Sequence, residues 1–106
     1  MVFMREPVLG KHLSVLDIWK EWFHGLNGNP ALSTAYKNHK CFHPNDKEWH
    51  RNMVKRASER GRVAKWVQEN GGGEAGVTKI YTDHFHGKVV GMTACLKFLA
   101  AQHSAE

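Results

Sequence analysis

Cysteine is scarce. Cys41 and Cys95 are the only two, too few for a disulfide framework. The opening residues also lack an apolar core ahead of a small-residue cleavage site, so no secretory signal is expected. The two thiols therefore read as reduced groups of an intracellular protein. Proline is rare, three residues, and the ten glycines follow no fixed period, which excludes a collagen-like chain. No apolar run approaches the ~20 residues that a membrane helix needs. Heptad repetition and sustained strand-like alternation are both missing, which excludes a coiled coil and argues against a sheet protein.

What remains is one small globular domain of 106 residues, 42% hydrophobic and 24% charged. A chain this short buries only roughly 60–65% of its unfolded surface, so its four tryptophans and five phenylalanines are expected to be the main core material. Residues 1–13, broken by Pro7 and Gly10, read as a flexible lead-in. Residues 14–103 read as a single helical domain.

Helical periodicity is clear after residue 13. Ser14 followed by Asp17 is a capping-box pattern. Val15, Ile18, Trp19, Trp22, Phe23 and Leu26 then fall on one helical face, and Gly25 and Gly28 supply the stop. This predicts a helix over 14–25. Asn29-Pro30 reads as a cap and first helical residue for a second helix over 30–38. A polar loop from His39 to Asp46 follows, and Asp46 is placed to cap a third helix. Gly71-Gly72-Gly73 is a hard stop, expected to be a mobile loop. Val77, Ile80, Tyr81 and Phe85 predict a fourth helix over 75–86, and Val89, Met92, Cys95, Leu96 and Leu99 a fifth over 88–102. The fold class is all-α, a compact domain of four to five helices.

Charge is distributed unevenly. Residues 1–36 have net charge 0 and residues 67–106 have −1, while residues 37–66 carry +6, more than the +5 of the whole chain. Such a concentration is the footprint of a polyanion-binding surface. Within it, Lys47, Arg51, Lys55, Ser58, Arg62 and Lys65 line up on one side of the third helix, with no acid among them. Trp49, Met53, Ala57, Ala64 and Val67 occupy the opposite side. A single unbroken helix would put Arg56 and Arg60 in the apolar sector, where unpaired charge is costly. Either the helix breaks near Gly61, or these arginines pair with acids such as Asp17 or Glu21.

Three chemistries compete for these residues. A basic helix anchored by its apolar side fits the DNA major groove, where Arg and Lys meet phosphates and guanine edges. The eight histidines, with His39, Cys41 and His43 in one loop and His84 and His86 in another, invite a zinc reading. The paired Cys-x₂₋₄-Cys half of a zinc finger is missing, and His39 and His43, at finger-like His-x₃-His spacing, have no such partner, so no metal is expected. Nothing places a cysteine beside a histidine and a third orienting group, so no enzyme is expected either.

The run Leu13-Ser14-Val15-Leu16-Asp17-Ile18-Trp19-Lys20-Glu21-Trp22, then Gly25-Leu26-Asn27-Gly28-Asn29-Pro30, resembles the opening of the C-terminal DNA-binding domain of the fungal transcriptional activator of glycolytic genes. Related osmostress and filamentous-growth regulators, and transposon-derived proteins, share the pattern. Trp49 with Arg51, Lys55-Arg56 and Arg60-Gly61-Arg62-Val63 matches the family's later Trp-plus-basic-helix segment more loosely. The resemblance spans about residues 9–98; the His/Cys loop at 39–43 and Gly61 depart from it. It implies a nuclear, cofactor-free module that binds double-stranded DNA in a sequence-specific way, with other transcription factors as further candidate partners. The tryptophan cluster with a basic third helix is also Myb- or homeodomain-like, although the tryptophan spacing is not the regular Myb repeat. The expected contacts are Lys47, Arg51, Lys55, Arg56, Ser58, Arg62 and Lys65, with Arg51 and Lys55 reading bases and Lys37, Lys40 and His43 flanking the backbone. Binding of an acidic protein partner, or of RNA, is the alternative.

Overall fold

The computed structural model describes Leu9, residues 14–26 and residues 28–104, with side chains as far as Gln102. Apart from Leu9, the expected lead-in over 1–13 lies outside the described residues. Five α-helices follow in order: α1 (Val15–Phe23), α2 (Leu32–Lys37), α3 (Lys47–Glu69), α4 (Gly73–His84) and α5 (Met92–Ser104). Among the described residues there is no β-strand. Ser14 and Gly91 form a single antiparallel bridge that holds the entries of α1 and α5 side by side.

Each helix boundary has a local cause. The Ser14 hydroxyl accepts the Asp17 N–H at 3.1 Å, as the capping pattern predicts. The second helix starts later than expected, because Asn29 does not cap it. Its amide donates to the Leu26 carbonyl at 2.9 Å, closing the turn before the helix, and Ala31 takes the cap position instead. Asp46 accepts the Trp49 N–H at 2.9 Å and starts α3. At the other end, Gly71 has φ 113° and the Gly72 N–H reaches the Val67 carbonyl at 2.9 Å, a Schellman ending. The three glycines therefore make a hydrogen-bonded corner between α3 and α4. The fifth helix also starts later than its apolar pattern suggests. Residues 88–91 run without helix, and the Tyr81 hydroxyl fastens them by donating to the Val90 carbonyl at 2.9 Å. Val89 is therefore 82% exposed rather than part of the α5 core face.

The central element is α3. It is unbroken over 23 residues, and α1, α2, α4, α5 and a short 3₁₀ turn at His39–Cys41 all pack on it. Gly61 breaks nothing. It sits under the indole of Trp22, where an added Cβ would lie 2.7 Å from the ring. Helix α1 thus approaches α3 as closely as a bare backbone allows. Gly76 does the same for α4, where a Cβ would run into the Val67 carbonyl.

The core is more aliphatic than expected. The largest fully buried side chains are Ile18, Leu32, Ile80, Val15, Val63, Val67 and Cys95, and Trp22 is the one tryptophan buried with them. Trp19, Trp49, Trp66, Phe23 and Phe85 are half-buried and pack round the perimeter. Helices that meet on glycine and alanine leave room between their axes only for branched aliphatic side chains. The larger rings fill the wedges where the helices diverge. Trp66 stacks on Phe98 with centroids 5.4 Å apart, and the Trp19 indole N–H donates to Gln68 at 3.0 Å.

Candidate nucleic-acid interface

The charged face of α3 is built by what lies behind it. At ~100° per residue, Lys47, Arg51, Lys55, Ser58, Arg62 and Lys65 fall within a sector of roughly 80°. All the cations in this stripe are exposed, and Ser58 is half-buried. Met53, Ala57, Val63, Ala64 and Val67 are buried on the other side and fix the helix against α1, α2, α4 and α5. The stripe stops at Glu69, which lies in the same sector one turn past Lys65 and is also exposed. The Lys65 ammonium sits 5.6 Å from the centroid of the Trp22 ring, a cation–π contact that limits its wandering. That contact is invisible in the chain order, because it depends on Trp22 crossing α3 at Gly61.

The two arginines off the stripe part company. Arg60 is buried, 7% exposed, and its Nε lies 2.9 Å from a carboxylate oxygen of Glu21, itself 5% exposed. Pairing with α1, and not a break at Gly61, resolves the charge in the apolar sector. Arg56 is exposed, roughly 140° round the helix from the middle of the stripe. It lines a shallow cavity of about 230 Å³ with Leu9, Trp49, Asn52 and Met53. It does not share a surface with Arg51 and Lys55.

Lys37, Lys40 and His43 are exposed on a lobe formed by α2, the 3₁₀ turn and the loop after it. Rings dock this lobe on the first turns of α3. Trp49 meets Phe42 at 6.0 Å and His43 at 4.7 Å between centroids. Nδ1 of His39 lies 3.0 Å from Nδ1 of His50, whose Nε2 lies 2.9 Å from the His43 carbonyl. This histidine chain was missed in the sequence, since residues 39 and 50 share no helical register. Their separation by one loop and one turn was its only trace.

Among the described residues, no three His, Cys, Asp or Glu side chains converge to hold a metal ion, and no helix is long and apolar enough to cross a membrane. Both thiols are free. Cys41 is exposed, while Cys95 is buried on α5, and burial pushes its thiol up to about 11.

The fold is thus a helical domain organised round one long cationic helix. Residues 9–71 match the family described as transcriptional activator of glycolytic enzymes, and the chain belongs to that family. The match spans α1, α2, the histidine loop, α3 and the first glycine of the corner that follows, and it gives the chain a role in transcription regulation. No curated protein and no solved structure matches the chain.

Proposed function

We propose that the chain is the sequence-specific DNA-binding module of a nuclear transcription regulator, with α3 in the major groove of a double helix and no cofactor. One observation carries the reading: the exposed, acid-free row of cations on α3, backed by a buried face that holds the rod rigid. The stripe runs for about 27 Å along a rod that the ~12 Å major groove admits. A straight rod diverges from a curving groove, so the ends of the stripe meet phosphates while the middle meets bases. Arg51 and Lys55 read base edges. Lys47, Ser58, Arg62 and Lys65 hold the backbone, and Lys37, Lys40 and His43 extend the phosphate contacts from the docked lobe. Arg56, on the far side of the helix, reaches at most a neighbouring stretch of backbone.

Selection of bound duplexes from a random pool, followed by salt titration, tests this. A defined site should emerge, with log affinity falling against log salt at a slope of about −3 to −5. Arg51→Ala should cost about 1–3 kcal/mol on the selected duplex and blur discrimination at one position. Equal affinity for selected and shuffled duplexes would overturn the reading.

A second reading, docking of an acidic partner, is favoured by one feature. Arg62 and Lys65 also line a cleft of about 440 Å³ together with Trp66, Leu99 and one acid, Glu69. In that case the salt-sensitive ligand would be a protein, and no duplex would be enriched.

A further inference from the structure

We propose that His39 and His50 form a proton-counting clasp: one hydrogen between their Nδ1 atoms holds the His39 end of the 38–46 lobe to α3, and protonation of both rings releases that end. The consequence for DNA affinity rests on the function proposed above, but the clasp itself does not.

The hydrogen positions follow from the acceptors. A carbonyl oxygen only accepts, so His50 Nε2, 2.9 Å from the His43 carbonyl, must carry a hydrogen. In a neutral ring His50 Nδ1 is then a bare lone pair. His39 Nδ1, 3.0 Å away, must donate to it, which makes His39 the Nδ1–H tautomer. The His43 carbonyl also accepts the Asp46 N–H at 3.0 Å, so its direction is set by the start of α3 and not by the rings. One added proton goes to His39 Nε2 and leaves both hydrogen bonds intact. A second has only His50 Nδ1 to occupy. Two N–H groups would then point at each other between two imidazolium rings, and the bond becomes a repulsion.

The surroundings sharpen this. Tyr36 of α2 lies 6.3 Å from the His39 ring, and Trp49 of α3 lies 4.9 Å from the His50 ring. The charged neighbours along the chain are Lys37 and Lys40 on the lobe, and Lys47 and Arg51 on α3. Asp46 and Glu48 are the acids of that turn, and Asp46 is engaged in capping α3. These four cations outnumber the two acids, and that excess of positive charge disfavours the closed, twice-protonated state. Acid usually strengthens the hold of a histidine-bearing surface on a polyanion. Here the first proton does so, and the second frees the His39 end of the lobe, with Lys40, while the His50 Nε2–H bond to the His43 carbonyl stays in place.

Nitrogen-15 spectra of the imidazole rings, recorded from pH 8 to 5 without DNA, test the clasp directly. The expected result is His39 as the Nδ1–H tautomer and His50 as the Nε2–H tautomer at pH 8. The amides of Cys41 and Phe42 should move only when His50 takes its proton. His39→Asn supplies a side-chain amide at the same place and can flip to accept as well as donate, so its lobe should stay docked at pH 5. At constant salt, wild-type affinity for the selected duplex should fall about tenfold relative to His39→Asn between pH 7 and 5, the loss of one charge-assisted phosphate contact. His39 found as the Nε2–H tautomer, or lobe amides with the same pH profile in both proteins, would overturn the clasp. If no duplex binds at any pH, the DNA reading fails and the ring spectra alone decide the clasp.

Discussion

Removing Glu21 should do more damage than removing any cation on the exposed stripe. The Glu21 carboxylate and the Arg60 guanidinium meet at 2.9 Å, and neither residue is more than 7% exposed. In Glu21→Ala the guanidinium stays on a helix face that α1 covers, with its counter-charge gone. Breaking a buried pair from one side costs about 3–5 kcal/mol, because a charge is left in a medium that solvates it poorly. For a domain of this size each kcal/mol corresponds to roughly 4–8 °C, so the melting temperature should drop by ~12 °C or more. The double variant Glu21→Leu/Arg60→Met removes both charges and keeps the volume. It should recover most of that loss, and matched cores of this kind are often neutral or more stable. Urea unfolding of the two single variants and the double gives the coupling between the sites directly. The expected sign is a double variant far more stable than the sum of the singles. Additive losses, or a Glu21→Ala protein within about 1 kcal/mol of wild type, would refute the claim that this pair is what lets α3 pass Arg60 through its buried side. If DNA is the ligand, the double variant should also keep wild-type duplex affinity, since Arg60 does not reach the surface.

Gly61→Ala tests the close crossing of α1 and α3. Alanine improves helix propensity by up to ~1 kcal/mol, yet its Cβ would lie 2.7 Å from the Trp22 ring, so a net destabilisation of about 1–3 kcal/mol is expected by denaturant titration. A stabilised variant would mean the helices can part without loss. The two cysteines should differ sharply towards a thiol reagent in the native state: Cys41 reacts at once and Cys95 only on unfolding. Because burial raises the Cys95 thiol from 9.0 to about 11, the folded protein holds that proton more tightly than the unfolded chain. Its contribution is present in full below pH 9 and is lost as pH rises towards 11. Stability of Cys95→Ala should therefore fall less steeply than wild type across that range; parallel curves would count against the assignment.

The candidate surface was legible where it depended on a single helix. The cations from Lys47 to Lys65 were predicted on one side of α3, and they stand there in the structure, exposed. Nothing in the spacing of residues 37–43 said where those residues would sit relative to α3. Their docking depends on Trp49 meeting Phe42 and His43, and on two histidines whose ring nitrogens come together only after the loop closes. Arg56 was legible off the stripe, as the wheel of an unbroken helix places it. It shares the basic segment with its neighbours, but one helical step puts it on another side.

Local order determined the helical class, the Ser14 and Asp46 caps, the apolar face of α1 and the cationic row on α3, because each follows from a repeat of 3.6 residues or from one side chain reaching a nearby N–H. Packing decided the rest. It determined that Gly61 is a contact point and not a hinge, that Arg60 is paired with Glu21, and that aliphatic residues rather than the abundant rings fill the centre. The reason is physical: how closely two helices approach, and which charges that approach buries, depends on side chains far apart in the chain, and no local period encodes their meeting.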